Sequence, residues 1–233
     1  MGVFRFKQFE VDQTGCAMKI NTDGVLIAAL ANHLAPKKIL DIGTGTGVIA
    51  LMLAQRFQQA EVHAVEIDGQ AAVAAAKNFQ ASIFMDRLKI HYTSIESYSN
   101  DDKFDLIVSN PPFFVNDLKN KEVRKGIARH ANEDFFEVLI HKTSFLLSNY
   151  GAVWLILPIK QAIEVVACAS NYGLSLNHRI NIYSDKNKSS FRQIICLAKE
   201  DKAFVETDFF IYESLGNHTL EYKQLLKDFF LAF

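Results

Sequence analysis

Lys38-Ile39-Leu40-Asp41-Ile42-Gly43-Thr44-Gly45-Thr46-Gly47-Val48-Ile49-Ala50 decides how the rest of this chain is read. The run up to Ile42 is short and mostly apolar, as a buried strand is. Glycines then stand at alternate positions, and an apolar stretch of helical character opens at Val48 and continues to Phe57. Glycine lets a backbone turn sharply and approach a ligand with no Cβ in the way. The helix start that follows leaves N–H groups without intrahelical partners. Strand, glycine turn and helix in that order form the first unit of a doubly wound α/β sheet, whose ligands sit beyond the carboxyl ends of the strands.

The pattern repeats outward from this unit. Residues 61–66 read as a second strand and end on Glu66, about twenty residues past the glycine turn, where a carboxylate can grip the two hydroxyls of a ribose. Residues 68–79 are alanine-rich and helical. Residues 88–92, 104–109 and 152–157 read as further strands, with helices expected over 132–147 and 159–172. The segment 115–131 is polar and is expected to be irregular. Residues 174–183 and 191–199 have a polar turn but no helix between them, which predicts an antiparallel pair. A short edge strand is expected at 208–212 and a terminal helix at 220–230. The expected architecture is one α/β domain, 1–233, with a Rossmann-like, seven-stranded, doubly wound sheet ending in an antiparallel hairpin. Residues 36–233 form its core, and residues 1–35 form a short N-terminal extension: an arm or hairpin, then a helix over 25–34.

The fourth strand ends on Asn110-Pro111-Pro112-Phe113. Proline cannot donate to a sheet ladder, so the strand stops there. A residue before proline is held extended, so Asn110 is presented stiffly. The corner offers an amide side chain, carbonyls with no neighbouring N–H, and an aromatic face. Taken alone it is equally a strand terminator with a capping Asn, or a pocket for a planar group that carries an amine.

Composition narrows the field. Basic and acidic residues nearly cancel, 25 against 26, so any polyanion must be met by a local patch. Cys16, Cys168 and Cys196 are far apart and form no CxxC, which signals neither a zinc site nor a disulfide framework. No metal spacing appears among the histidines. The start lacks the apolar core of a signal peptide, and no run reaches the roughly 18 apolar residues of a membrane span. A cytoplasmic monomer with no metal and no membrane partner is expected.

The glycine turn and Glu66 resemble the S-adenosylmethionine site of Rossmann-like class I methyltransferases. That resemblance implies cofactor contacts at Asp41, Gly43, Gly45, Gly47 and Glu66, with Ile67 beside the adenine. Many such enzymes carry an Asp soon after the third strand. Here Tyr92-Thr93-Ser94-Ile95-Glu96 stands in its place, and Ser94, Glu96 or a backbone group is the candidate substitute. Gly45, Gly47 and Ala50 also satisfy a dinucleotide-binding spacing, but that reading gives Asn110-Pro111-Pro112-Phe113 no purpose. The tetrapeptide resembles the motif of methyltransferases acting on planar-system nitrogens. It implies catalytic roles for Asn110 and Pro111 as acceptors of the amine hydrogens, with Pro112 stiffening the corner and Phe113 stacking on the base. Asn110 also falls beside the cofactor.

Phe4-x-Phe6-x-x-Phe9 and Cys16-Ala17-Met18-Lys19-Ile20-Asn21-Thr22-Asp23-Gly24 are similar to the N-terminal signature of the bacterial tRNA1(Val) adenine-N6-methyltransferase family. The resemblance implies S-adenosylmethionine as cofactor, tRNA as partner and adenine 37, next to the anticodon, as target. It also implies that the N-terminal segment closes over the cofactor, with Lys19, Thr22 and Asp23 near its methionine end. The alternatives are guanine-N2 methylation of rRNA, glutamine-N5 methylation of a protein, and a non-catalytic RNA-binding module. Lys119, Lys121, Arg124, Lys125 and Arg129 follow the corner with only Glu122 opposing them, and are candidate phosphate contacts. Lys186, Lys188 and Arg192 form a second basic group.

Overall fold

In the computed structural model, which describes residues 2–16, 18–112 and 124–233 and gives the backbone alone over 124–134, the chain opens with a hairpin of β1 (Val3–Arg5) and β2 (Glu10–Asp12). Helix α1 (Thr22–Leu30) follows, then β3 (Lys38–Ile42), α2 (Val48–Arg56), β4 (Glu61–Glu66), α3 (Gly69–Ala81), β5 (Leu88–Tyr92) and β6 (Phe104–Ser109). The second half runs through α4 (Arg124–Leu146), β7 (Leu147–Leu157), α5 (Ile159–Ala169), β8 (Ser175–Tyr183), β9 (Arg192–Ala198) and β10 (Val205–Phe210). A small pair, β11 (Tyr212–Ser214) and β12 (Asn217–His218), precedes α6 (Leu220–Leu226).

The main sheet has eight strands in the order β10-β8-β9-β7-β6-β3-β4-β5. From β3 the chain winds outward to β5 and then returns to β6 on the other side of β3. The boundary between β3 and β6 is therefore the switch point, where ligands of such sheets bind. The antiparallel pair is present as β8 and β9, and β9 also runs antiparallel to β7. The sheet has one strand more than the seven expected. The extra strand, β10, pairs parallel to β8 at the edge and covers 205–210 rather than 208–212. Its first four residues are exposed, so no alternation of apolar and polar residues marked it.

The strands carry near-continuous apolar runs because both sheet faces are covered. Ile39, Leu106 and Val108 pack with α1 and α2 on one face. Leu40, Ile42 and Ile107 pack with α4 and α5 on the other.

Several boundaries differ from expectation. Helix α1 spans Thr22–Leu30 rather than 25–34. Asn21 caps its start by accepting the Gly24 N–H at 2.8 Å. Arg56 closes its end, with Nη1 donating to the Ala28 and Ala31 carbonyls at 2.6 Å. Helix α4 begins at Arg124, so the stretch 124–131 is helical rather than irregular. Its sequence lacks an apolar stripe, yet Arg, Lys and Ala are good helix formers. Strand β7 starts at Leu147 instead of 152, and its register against β6 shifts between Phe104 and Leu106. Gly151 permits that approach, since a Cβ there would stand 2.8 Å from the Phe104 carbonyl oxygen. Helices α5 and α6 stop at Ala169 and Leu226, earlier than 172 and 230.

The N-terminal hairpin is fastened to the glycine turn by one buried amide. Asn78 of α3 accepts the Asp12 N–H at 2.9 Å and donates to the carbonyls of Asp12 at 3.0 Å and Thr46 at 2.8 Å.

Candidate active site

The three glycines after β3 all have positive φ, 73° at Gly43, 57° at Gly45 and 87° at Gly47. They do different work. A Cβ on Gly43 or Gly45 would meet nothing within 4 Å, so these two face open space. A Cβ on Gly47 would stand 2.6 Å from Phe79 Cε1, so the third glycine lets α3 pack closely.

Two carboxylates shape the turn. Asp41 is fully buried, and its Oδ2 accepts from Thr44 Oγ1 at 2.6 Å and from the Ala50 N–H at 3.1 Å. It thus ties strand end, turn and helix start together. Its Oδ1 is buried with no partner among the described residues, and burial pushes the carboxyl up to about 7. Glu66 is buried at the end of β4. Its Oε2 accepts the Gly45 N–H and its Oε1 the Asp68 N–H, each at 2.8 Å. Each carboxylate oxygen can accept a second bond, so Glu66 can hold the turn and two ribose hydroxyls at once.

Ile67 is 68% exposed beside Glu66, and Tyr92, paired with Glu66 across the strands, is 71% exposed. Together they leave apolar surface at the ends of β4 and β5, suited to a flat ring. Tyr92 was missed, although its place at a strand end was a readable signal. Ser94 turns inward on its own loop, its Oγ accepting the Ser97 N–H and donating to Ser97 Oγ at 3.3 Å. Glu96 is exposed.

The amide corner leaves the neighbouring strand. Strands β3 and β6 pair in parallel with Ile42 opposite Ser109, so the glycine turn and Asn110 start about 4.8 Å apart. Ser109 clasps the two ends, its buried Oγ donating to the Ile42 carbonyl at 2.7 Å. This role was invisible in the sequence because it depends on which strands are neighbours. Asn110 Nδ2 donates to Asn21 Oδ1 at 3.5 Å, while Asn110 Oδ1 is buried with no partner among the described residues. Pro111 is buried and Pro112 exposed. Phe113, Lys119 and Lys121 lie outside the described residues. Arg124, Lys125 and Arg129 lie in the first turns of α4.

A cleft of about 460 Å³ opens beside Asn110, between the start of α1 and the strand ends that carry Phe191, Arg192 and Tyr212. Thr22 and Asp23 line it, and Lys19 is exposed nearby in sequence. Asp23 accepts from Arg192 Nε at 2.8 Å. That pair, 169 residues apart, was not anticipated. No group of three or more His, Cys, Asp or Glu that could hold a metal occurs among the described residues. No helix among them is long and apolar enough to cross a membrane.

The open faces of Gly43 and Gly45, with Glu66 at their rim, fit a nucleoside whose ribose lies against the turn. With the strand order, this defines a class I, Rossmann-like methyltransferase. Solved structures share the fold. A predicted O-methyltransferase from Agrobacterium tumefaciens aligns with a TM-score of 0.69 at 20% identity, over 89% of this chain and 96% of that one. A glycopeptide N-methyltransferase, crystallised with S-adenosylmethionine, aligns with a TM-score of 0.57 at 12% identity, over 78% and 90%. Residues 20–164 match the family described as methyltransferase small domain.

Relatives in sequence are far more specific. The chain is 56% identical to the tRNA1(Val) (adenine(37)-N6)-methyltransferase of Pedobacter heparinus, over 99% of this chain and 98% of that one. It is 36% identical to the enzyme of the same name from Dyadobacter fermentans, over 99% and 98%. The chain belongs to the tRNA1(Val) (adenine(37)-N6)-methyltransferase family.

Proposed function

We propose that this protein methylates the exocyclic N6 of adenine 37 in tRNA1(Val), with S-adenosylmethionine as donor. The observation that carries the reading is the acceptor of Asn110, unpartnered among the described residues and one strand spacing from the glycine cradle.

Gly43 and Gly45 would bring their backbone against the donor, Glu66 would hold its ribose hydroxyls, and Ile67 with Tyr92 would flank its adenine. Thr22 and Asp23 stand at the side where its amino-acid end would lie. Bound there, S-adenosylmethionine supplies a methyl group on a sulfonium, open to in-line displacement. The chain's part on the other side is to make the amine a nucleophile. An adenine amine is flat, its lone pair delocalised into the ring. Asn110 Oδ1 and the Pro111 carbonyl accept its two N–H bonds, draw it toward a tetrahedral shape and aim the lone pair. Holding the reactants in this geometry contributes most of the acceleration. The amine proton leaves to solvent after the new bond forms, so no strong base is needed.

Phe113 would stack on the base, worth roughly 1–3 kcal/mol, which offsets part of the few kcal/mol needed to turn the base out of its stack. Lys119, Lys121, Arg124, Lys125 and Arg129 would meet phosphates. Reversing charge at Arg124 and Lys125 together is expected to weaken tRNA binding and flatten its salt dependence; an unchanged salt slope removes them from the interface. A monomer working in the cytoplasm is part of the same proposal.

The test is labelled-methyl transfer to tRNA lacking the modification, followed by nucleoside mass analysis. N6-methyladenosine at position 37 is expected. N2-methylguanosine, or no transfer, overturns the reading.

A further inference from the structure

We propose that Asn21 is a positioning residue that determines which end of the Asn110 side-chain amide faces the substrate. The proposal rests on Asn110 being the acceptor for the adenine amine.

The two ends of an amide have nearly the same shape and opposite hydrogen-bonding character. Turned one way, Asn110 accepts from the amine. Turned the other way, it offers N–H against N–H. Something in the protein has to choose. The choice traces to the start of α1. Asn21 is the cap of that helix, and its Oδ1 accepts the Gly24 N–H at 2.8 Å. A cap requires an acceptor, so the Asn21 amide cannot turn over. The same oxygen lies 3.5 Å from Asn110 Nδ2. Turning Asn110 over would set two carbonyl oxygens against each other and lose that bond. Gly24 borders the same nitrogen: a Cβ built there would stand 3.8 Å from Asn110 Nδ2. The backbone of Asn110 is itself stiffened by the proline that follows it. Asn110 therefore turns its nitrogen to the α1 cap and its oxygen away, and that oxygen is the buried one without a partner among the described residues.

The bond from Asn110 to Asn21 is long and contributes little stability. Its effect is on a choice between two orientations, where the disfavoured one places like dipoles together. The helix cap thus sets Asn21, and Asn21 sets Asn110.

Three substitutions at one position separate this role from plain helix capping. Asn21→Asp keeps an acceptor of the same reach for both Gly24 and Asn110, and is expected to retain most of kcat. Asn21→Ser keeps a competent cap, but its shorter hydroxyl does not reach Asn110. It is expected to fold with a near-native Tm, to keep KM for tRNA and Kd for S-adenosylmethionine within about twofold, and to lose roughly tenfold or more in kcat. Asn21→Ala is expected to lose both kcat and Tm. Full kcat in Asn21→Ser overturns the proposal, as does a kcat in Asn21→Asp as low as in Asn21→Ser. So does a defect of Asn21→Ser confined to the cofactor Kd. Asn110→Ala run in parallel tells the two readings apart. Transfer surviving in Asn110→Ala takes down the amine-acceptor role and this proposal with it. Loss there beside full kcat in Asn21→Ser takes down the Asn21 role alone.

Discussion

The two sides of the switch point are built differently. On the side of the glycine turn, where the cofactor is proposed to lie, the backbone is fastened repeatedly. The Gly43 and Thr44 N–H groups bond the Val65 carbonyl at 2.8 and 3.2 Å, Gly47 bonds Thr44, and both carboxylates hold the turn. On the Asn110 side, the proposed amine acceptor has no partner among the described residues, and among them its amide is held by one long bond. A site that must bind the same nucleoside on every turnover gains from a finished shape. A site that must grip an amine while its geometry changes gains from an acceptor left unsatisfied until the substrate arrives. The difference predicts unequal responses to mutation.

The largest effect belongs to the unpartnered side. Asn110→Ala is expected to lower kcat by about 10³-fold, the upper range for removing one group aimed at a transition state. Cofactor Kd is expected to stay within about twofold. A matching loss in cofactor binding would mean that the two sides are one unit and that the contrast is false. Next comes Gly45→Val. At φ 57° a branched side chain is strained, and its Cβ would point into the open cradle. A loss of about 100-fold in S-adenosylmethionine affinity is expected, read by calorimetry, with tRNA binding little changed. Unaltered cofactor affinity would show that the open face of the turn is not where the ligand lies.

What the sequence could and could not reveal follows the same division. Strands β3, β4 and β6 were legible because both faces of the sheet are covered and the runs are apolar throughout. The glycine turn, Glu66 and the proline corner were legible because each places a special residue at a strand end. Edge strand β10 was only partly legible, since most of it faces solvent. The start of α4 was hidden by its polar sequence, which carries no apolar stripe. Ser109, Asn78 and Arg192 act across pairs 67, 32 and 169 residues apart, which no local pattern encodes. Asn21 was legible as a cap and illegible as a neighbour of Asn110, because only the packing of α1 against the corner brings the two amides together.

The glycine turn carries an electrostatic cost at Asp41. Burial raises the Asp41 carboxyl from near 4 to about 7, so the folded state favours its protonated form. For a raised folded pKa, the stabilising contribution is complete below the unfolded value near 4 and is lost as pH rises through about 7. Asp41→Asn removes the titration while keeping an acceptor for Thr44 and Ala50. The difference in unfolding free energy, variant minus parent, is expected to grow by on the order of 2 kcal/mol between pH 5 and 7. Urea denaturation at several pH values measures it. Parallel curves would show that the Asp41 carboxyl is not protonated in the fold.

The smallest expected effect tests whether the two sides communicate. Asp23, at the start of α1 where the amino-acid end of the cofactor is proposed to lie, and Arg192, at the start of β9, face each other across the cleft beside Asn110, joined at 2.8 Å with both side chains mostly shielded, 14% and 27% exposed. A shielded pair of this kind belongs at the upper end of the range measured for surface pairs, which reaches about 1 kcal/mol. A double-mutant cycle of Asp23→Asn and Arg192→Gln, read in Tm, is expected to give a coupling of about 1 kcal/mol, a few degrees for a chain of this length. The same cycle read in binding is the sharper measurement. If the pair transmits, S-adenosylmethionine tightens tRNA binding in the parent and ceases to do so in either single variant, because the start of α1 and the far wall then move independently. If the cooperativity survives both substitutions, the ion pair only holds the walls together, and the finished and unfinished halves of the site act independently.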